Sequence, residues 1–316
     1  MKGIELLGPG LLRQESVLKE IDHWLAVTDR PNGWHYDLDI IWSLQNLERS
    51  GIKPGMTVLD AGAGLGVTQF VLAARGFRVI SLDYAQRDRP RRADGIFDIR
   101  QADEQPLEYR HSYLSHVKGL RDQRGVGRLL RKVTTRFAAD PIATTLAVGD
   151  TSRRLKRLLV NRAERKRDHS RFGAIEFVRA SFHDMPLPSS SVDAVVSVSA
   201  VEHSDKDVIA KALEEMRRVT RPGGPILITT SATGEGHDIF HQQTQGHCFT
   251  RESLIGLVGE PCECSFDHDR VERELLDSTC LWSRLDPYYY RWDFSLFRGQ
   301  RPVSSLPYLP VGIRVQ

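Results

Sequence analysis

A glycine-rich turn between a predicted strand and a predicted helix constrains the fold of this chain most. Residues 57–60 form a short apolar run, residues 67–75 have helical spacing, and residues 78–83 form a second apolar run. Glycines separate the first run from the helix. Such a strand, helix, strand unit is built as a right-handed parallel crossover. The pattern therefore predicts an α/β fold.

The alternation of strands and helices lapses after residue 83 and resumes near residue 175. It continues through predicted strands at 192–198 and 225–230, with a helix at 208–219 between them. We predict a Rossmann-like, doubly wound, mostly parallel sheet with a long, basic, largely helical insertion after the second strand.

Four parts of the chain are predicted. Residues 1–50 form an N-terminal helical cap, and residues 51–87 and 173–260 form the Rossmann-like core. Residues 88–172 form the insertion, which we interpret as a lid, and residues 261–316 form an aromatic extension that completes the core. No internal repeat is evident.

Composition favours an intracellular enzyme without metal. No apolar run approaches the roughly 20 residues of a membrane-spanning helix, which predicts a cytoplasmic location. The four cysteines show no C-x-x-C pair, so we predict free thiols and no metal site. His237 and His241 could bind a metal ion together only if this segment were helical, and the sequence offers no evident third ligand.

Charge is distributed unevenly. The chain has a net charge of +3, but residues 118–171 alone carry +11. A helical pattern there places Leu155, Leu158 and Leu159 on one face, flanked by arginines such as Arg153 and Arg157. This pattern predicts either a lid with a solvated basic face or a surface that meets an anionic membrane, peripherally at its inner face. Nucleic acid is disfavoured because the run lacks an aromatic stacking platform.

The glycine-rich turn indicates a nucleoside ligand. Its glycines are spaced G-x-G-x-G after Asp60, whereas a dinucleotide site uses G-x-G-x-x-G and binds pyrophosphate. Asp60 repels pyrophosphate but suits the ammonium group of a methionine moiety. Asp83, at the end of the next strand, is placed to accept hydrogen bonds from ribose hydroxyls. These features favour S-adenosylmethionine as the cofactor over a nicotinamide dinucleotide.

With these motifs, the sequence resembles the class I S-adenosylmethionine-dependent methyltransferases, particularly their type-11 group, over residues 58–83 and 177–230. Ser181 stands where that family usually has an adenine-binding Asp, and Asp184 follows three residues later. The resemblance implies a cofactor site made of Asp60, Ala61, Gly62, Gly64, Gly66, Asp83, Tyr84, Ser181, Phe182 and Ser199.

Acceptor chemistry is assigned from histidines and aromatic residues. His203 follows a predicted strand end and is a candidate base; it is equally explained as a helix-capping residue. The candidate acceptor-binding residues are Trp34, Tyr36, His111, His237 and His241.

We predict O-methylation of a small-molecule or glycan-type acceptor. A peptide or carboxylate methyltransferase is the alternative, because such acceptors need no base. A non-catalytic S-adenosylmethionine-binding regulatory or scaffold protein is the alternative from another class. The sequence leaves the oligomeric state open.

Overall fold

A single mixed sheet organises the part of the chain that the computed structural model describes, namely residues 2–30, 32–85, 87, 90–102, 155–259, 261–289 and 304–316. Its strands are β1 (Gly3–Leu6), β2 (Thr57–Ala61), β3 (Arg78–Asp83), β4 (Ile99–Gln101), β5 (Ile175–Arg179), β6 (Ala194–Val198), β7 (Ile226–Ala232), β8 (Ile239–His241), β9 (Gly246–Phe249), β10 (Glu263–Ser265) and β11 (Leu309–Arg314).

The centre of the sheet is parallel, in the order β7-β6-β2-β3-β5-β4. From β2 the chain builds outward through β3 to β5, and it then returns to place β6 and β7 on the other side of β2. The strand order therefore reverses between β2 and β6, and ligands of doubly wound sheets bind at the carboxyl ends of the strands beside such a reversal. This arrangement confirms the predicted fold class.

Helices cover the sheet on both faces, because its central strands are buried throughout and need apolar cover on each side. The helices are α1 (Glu15–Thr28), α2 (Tyr36–Arg49), α3 (Thr68–Ala74), α4 (described over 155–164), α5 (Lys206–Val219), α6 (Arg251–Val258), α7 (His268–Leu276) and α8 (Thr279–Tyr289). Among them, α2 contacts β6, β7 and β11, whereas α3 contacts β2, β3 and β5.

The N-terminal prediction is wrong in one respect, because residues 1–50 are not only a helical cap. Gly3–Leu6 forms β1, which pairs antiparallel with β11 and parallel with β10. Its partners come from the far end of the sequence, so four residues with no helical spacing gave no local signal. The two predicted cap helices follow as α1 and α2.

The predicted insertion at 88–172 is not separate from the core at its ends. Ile99–Gln101 forms β4, which pairs with β5 at the edge of the sheet. Phe97 stacks with Phe172 at 5.4 Å between ring centroids and contacts Trp24 at 5.0 Å. The core therefore includes residues that the predicted boundary excluded, because their aromatic rings fill the space beside α1. Residues 103–154 lie outside the described residues.

The C-terminal extension adds an antiparallel strand to the sheet. β11 pairs with β7 over six residues and is buried almost throughout. Of the predicted aromatic tail, Trp282 donates from Nε1 to the Leu276 carbonyl at 2.7 Å. The residues 290–303 lie outside the described residues.

Candidate active site

The carboxyl ends of β2, β3, β5 and β6 bring the predicted cofactor residues to one edge of the sheet. Asp60 and Ala61 end β2, and Asp83 ends β3 in the neighbouring register. Ser181 follows β5, and Ser199 follows β6. Four loops that are distant in sequence therefore meet where a doubly wound sheet binds its ligand.

The glycine loop has the backbone that its sequence predicts. Gly62 and Gly64 have φ angles of +77° and +50°, in the left-handed region that favours glycine. A β-carbon at Gly62 would lie 2.5 Å from the Ala200 Cβ. Gly62 is therefore required by packing of the loop after β6 as well as by its turn, and the loop brings β2 and β6 together.

Asp60 is a buried acid without a hydrogen bond on one oxygen. Among the described residues, nothing pairs with its Oδ2 atom. Burial raises the pKa of Asp60 to about 7; Arg87 lowers it and Asp83 raises it. An ionised carboxyl in this position needs a cationic donor, because a buried charge without a partner is costly away from water. The ammonium group of S-adenosylmethionine supplies such a donor, so the residue fits the predicted cofactor.

Asp83 holds the glycine loop from the neighbouring strand. Its Oδ2 accepts from the Gly64 amide at 2.6 Å, and its Oδ1 accepts from the Ala85 amide at 2.7 Å. A carboxylate accepts up to about four hydrogen bonds, so two positions remain for ribose hydroxyls. The half-buried Tyr84 lies between Asp83 and Ala85.

A network of side-chain hydrogen bonds that was not predicted from the sequence supports this loop. The Gln69 side chain donates to the Gly66 carbonyl at 2.9 Å and accepts from the Ser81 hydroxyl at 2.7 Å. Arg87 donates to the same hydroxyl at 2.7 Å and to the Gly64 carbonyl at 3.5 Å. This network therefore ties the middle and the second end of the loop to Ser81 in β3.

Arg87 is only 7% exposed, and its guanidinium lies 4.8 Å from the centroid of the Phe177 ring. Burial lowers the pKa of Arg87, while Asp83 and Asp60 raise it. The site therefore has an internal cation beside its two acids. Ser81, a polar residue within an apolar strand, was a visible signal of this network. Arg87 stands in a run of arginines, and nothing in the sequence marked it as part of this network.

The turn after β5 faces the glycine loop. The Phe182 ring lies near Gly62, 3.6 Å from the place of a β-carbon there. The Ser181 hydroxyl is 2.6 Å from His183 Nδ1, and Asp184 is exposed. Phe182 is thus the member of this turn that borders the predicted cofactor site. The Ser181 hydroxyl instead pairs with His183.

Beyond β6, the structure adds Glu202 to the site. Ser199 has a φ angle of +47°, and its hydroxyl donates to Glu202 Oε1. Glu202 Oε2 accepts from the Thr230 hydroxyl at 3.0 Å, and the carboxyl is 2% exposed. Glu202 therefore fixes the loop after β6 against β7. The buried Ser197 hydroxyl has no hydrogen-bond partner among the described residues.

His203 contacts the hairpin of β8 and β9. Its Nδ1 atom lies 3.0 Å from the Gln245 carbonyl oxygen, which accepts only if Nδ1 carries the proton. In the neutral ring, Nε2 is then the atom that can take up a proton. A general base needs a nitrogen of this kind, with a lone pair that can accept the proton.

Aromatic residues from both ends of the chain form a cluster beside this hairpin. Trp34 Nε1 donates to the Tyr308 hydroxyl at 3.0 Å, and the His241 ring lies 5.6 Å from the Tyr308 ring. Next to Trp34, the buried His35 Nδ1 lies 2.7 Å from Asp39 Oδ2. Burial raises the pKa of Asp39, His35 lowers it, and Glu202 raises it. The sequence analysis missed His35, Asp39 and Tyr308.

Of the other predicted acceptor residues, Tyr36 borders this cluster. Tyr36 packs its ring 5.1 Å from that of His35. His237 is exposed, and His111 lies outside the described residues. Ile239–His241 is a strand, so the helical spacing that a metal pair of His237 and His241 needs is not formed. Within the described residues, no group of three potential ligands is placed to hold a metal ion.

Part of the sequence is similar to known methyltransferases. Residues 125–228 match the family model described as "Methyltransferase domain", which here includes β5, β6 and α5 and begins after the glycine loop. A ubiquinone/menaquinone biosynthesis C-methyltransferase from Hahella chejuensis is 35% identical over 80 residues, covering 23% of this chain and 31% of the relative. A probable S-adenosylmethionine-dependent methyltransferase from Mycolicibacterium smegmatis is 31% identical over 83 residues, covering 26% and 32%.

Among solved structures, a Burkholderia thailandensis 1,6-didemethyltoxoflavin-N1-methyltransferase with bound S-adenosylhomocysteine is 16% identical. The match covers 96% of this chain and 87% of that chain, with a TM-score of 0.40. The chain matches only about a third of the length of the curated relatives. The matches show that residues 125–228 are similar to a methyltransferase domain and that about a quarter of the chain is similar to known methyltransferases, one of them named as S-adenosylmethionine-dependent.

Proposed function

We propose that this chain transfers a methyl group from S-adenosylmethionine to a hydroxyl oxygen of a small-molecule or glycan-type acceptor. The buried, unpaired Asp60 beneath the glycine loop carries the cofactor assignment. When bound, the cofactor supplies an electrophilic methyl group on a sulfonium and is left as the neutral thioether. Asp60, Asp83 and Phe182 would hold its ammonium, ribose and adenine parts.

His203 would accept the proton of the acceptor. A hydroxyl is a weak nucleophile until its proton is removed, and a positioned base typically contributes 10²–10⁴-fold to the rate. The bond between Nδ1 and the Gln245 carbonyl places the proton of the neutral ring on Nδ1, so Nε2 is the nitrogen with the basic lone pair. As the new oxygen–methyl bond forms and the methyl–sulfur bond breaks, the hydroxyl proton passes to Nε2. A carboxylate acceptor would not need this histidine.

The cluster around Tyr308 would border the acceptor. It joins Trp34 with His241, and burial lowers the pKa of His241, which keeps its ring neutral near pH 7. Flat aromatic surfaces with polar edges suit sugar rings and aromatic small molecules. This cluster lies beside the hairpin that contacts His203, so acceptor and base would share one side of the site.

Methyl-labelled S-adenosylmethionine tests the proposal with a panel of hydroxyl, carboxyl and amine acceptors. We expect label in products that resist alkali, which hydrolyses methyl esters, and that release methyl iodide in hydroiodic acid, which cleaves methyl ethers. Alkali-labile label would indicate a carboxylate acceptor, and label stable to both reagents would indicate carbon or nitrogen.

His203→Ala tests the base. We expect kcat to fall by about 10²-fold or more while S-adenosylhomocysteine affinity stays unchanged. His268→Ala, in a half-buried histidine at the start of α7, is the control and should keep its activity. Unchanged kcat in His203→Ala would assign that residue to loop structure. Tight S-adenosylhomocysteine binding without transfer to any acceptor would favour the non-catalytic alternative.

A further inference from the structure

Helix α4 has its polar residues inside and its leucines outside. Leu155, Leu158 and Leu159 are 57%, 51% and 58% exposed. The buried positions of the same helix are Asn161 and Glu164, which are 7% and 3% exposed. An ordinary surface helix has the opposite arrangement, with its apolar stripe towards the core. The leucines therefore do not hold this helix in the fold.

Polar contacts hold the helix, together with Val160, which packs partly buried against the core. The Asn161 amide donates to the Val27 carbonyl at 2.8 Å and to the Arg92 carbonyl at 2.7 Å. Glu164 Oε2 lies 3.0 Å from His23 Nε2 and accepts from Arg167 at 2.9 Å. These bonds fix the rotation of the helix about its axis. Because these contacts bury one face of the helix, the leucine face is exposed to solvent.

Unpaired cations accompany the leucines. Lys156, Arg162 and Lys166 are exposed, and none of the three forms an ion pair within the described part of the chain. Positions 155, 158, 159 and 162 follow one another at helical spacing, so Arg162 continues the leucine stripe, and Lys166 lies in the turn that follows the helix. Residues 155–171 contain seven Lys and Arg against two acidic residues.

The structure also changes which cations belong to this surface. Arg157 turns inward and pairs with Asp29 at 2.8 Å, so the sequence-based grouping of Arg157 with the outer face is wrong. Arg153 lies outside the described residues. Asp29 follows the end of α1, and the next residue, Arg30, lies over the Phe70 ring near the start of α3. The start of the stripe therefore lies beside the end of α1.

We propose that this stripe, made of Leu155, Leu158, Leu159 and Arg162, with Lys156 at its side and Lys166 in the turn after it, is a docking surface for an anionic lipid bilayer. Leucines enter the boundary between headgroups and acyl chains, while lysine and arginine side chains reach the phosphates. A bilayer is favoured over a protein groove because the cations lie along the leucine stripe, where a protein core would bury them. No helix of the described residues is long and apolar enough to cross a membrane, so contact would be peripheral.

Co-sedimentation with vesicles tests this surface and does not depend on methyl transfer. Full-length protein is mixed with vesicles of phosphatidylcholine alone or with added phosphatidylglycerol, at low and at physiological salt. We expect sedimentation with the anionic vesicles only, weakened by salt. Leu155→Ser/Leu158→Ser/Leu159→Ser should reduce the partition coefficient about 100-fold, since half-burying each leucine is worth about fivefold.

Replacing Lys156, Arg162 and Lys166 by Gln should reduce binding about 100-fold, at about fivefold for each charge near the surface. The matched controls are Phe240→Ser, which removes another exposed apolar residue (43% exposed), and a triple Gln variant of Lys53, Lys211 and Arg217. Both controls should bind as the wild type does, and S-adenosylhomocysteine affinity reports that each variant is folded.

Three results would overturn the proposal. The first is wild-type protein that ignores anionic vesicles at low salt. The second is an equal loss of binding in the control variants. The third is a dimer in solution that the leucine variant dissociates, which would make the stripe an interface between two copies of the chain.

Discussion

Replacing Asp60 by Asn should abolish a pH dependence of cofactor binding that the wild-type protein shows. The pKa of Asp60 is raised to about 7 by burial, so the carboxyl is protonated below that pH and ionised above it. Only the ionised form pairs fully with an ammonium group. The apparent dissociation constant then varies inversely with the ionised fraction. Affinity for S-adenosylhomocysteine should therefore rise as the pH rises through 7.

The magnitude follows from the same pKa. A group of pKa about 7 is about 3% ionised at pH 5.5 and about three-quarters ionised at pH 7.5, so affinity should rise about 25-fold between them. At pH 7, binding should release about half a proton, because the ammonium draws the remaining carboxyl into its ionised form. Asp60→Asn has no proton to release, and its affinity should be weak and flat.

Isothermal titration calorimetry measures both quantities in buffers of different ionisation enthalpy. Asp98→Asn, in an exposed acid that pairs with Arg100, is the control and should follow the wild type. The assignment depends on the difference between wild type and Asp60→Asn, because any other titrating group is common to both proteins. A wild-type affinity that is constant over the range, or a 25-fold rise that persists in Asp60→Asn, would refute the reasoning.

Three further variants test the groups around this acid. Arg87→Met removes the cation that lowers the pKa of Asp60, so the pH midpoint of S-adenosylhomocysteine binding should move upward in the same calorimetric series; an unmoved midpoint would contradict the contact. Asp83→Ala should weaken S-adenosylhomocysteine binding by about 1.5–3 kcal/mol, unless its only role is in the loop. Glu202→Ala leaves two hydroxyl donors without their acceptor and should lower the free energy of unfolding by about 2 kcal/mol in urea titrations, whereas a loss below about 0.5 kcal/mol would show that water replaces the carboxylate.

The parts of the fold that were predictable from the sequence are those whose apolar residues recur at helix or strand spacing. β2, α3 and β3 follow directly from two apolar runs around a helical pattern, and β3 was predicted to the residue. Strands β1 and β4 have four and three residues, and each is held by a partner strand far away in the sequence. Such short edge strands carry too few positions for alternation to be recognised, so only the folded sheet reveals them.

The same contrast holds for the candidate site. The glycine loop and Asp83 were predictable because the chain must turn where a strand ends at a ligand. Glu202 was visible only as a neighbour of His203, since its burial depends on Ser199 and Thr230 from two different segments. Tyr308 reaches Trp34 across 274 positions of sequence, and nothing local to either residue predicts that contact.

Charge at the site connects these residues to the choice of cofactor. The two acids Asp60 and Asp83 lie beside one buried cation, Arg87, so the site has a net charge of −1 when both acids are ionised. S-adenosylmethionine carries an ammonium, a sulfonium and a carboxylate, and its net charge of +1 balances that of the site. A dinucleotide would bring a doubly negative pyrophosphate to a position where Asp60 is already short of a cation, at a cost that the single guanidinium does not offset. After transfer the product is neutral overall, so the site attracts it less than the cofactor, which favours exchange of product for a new cofactor molecule.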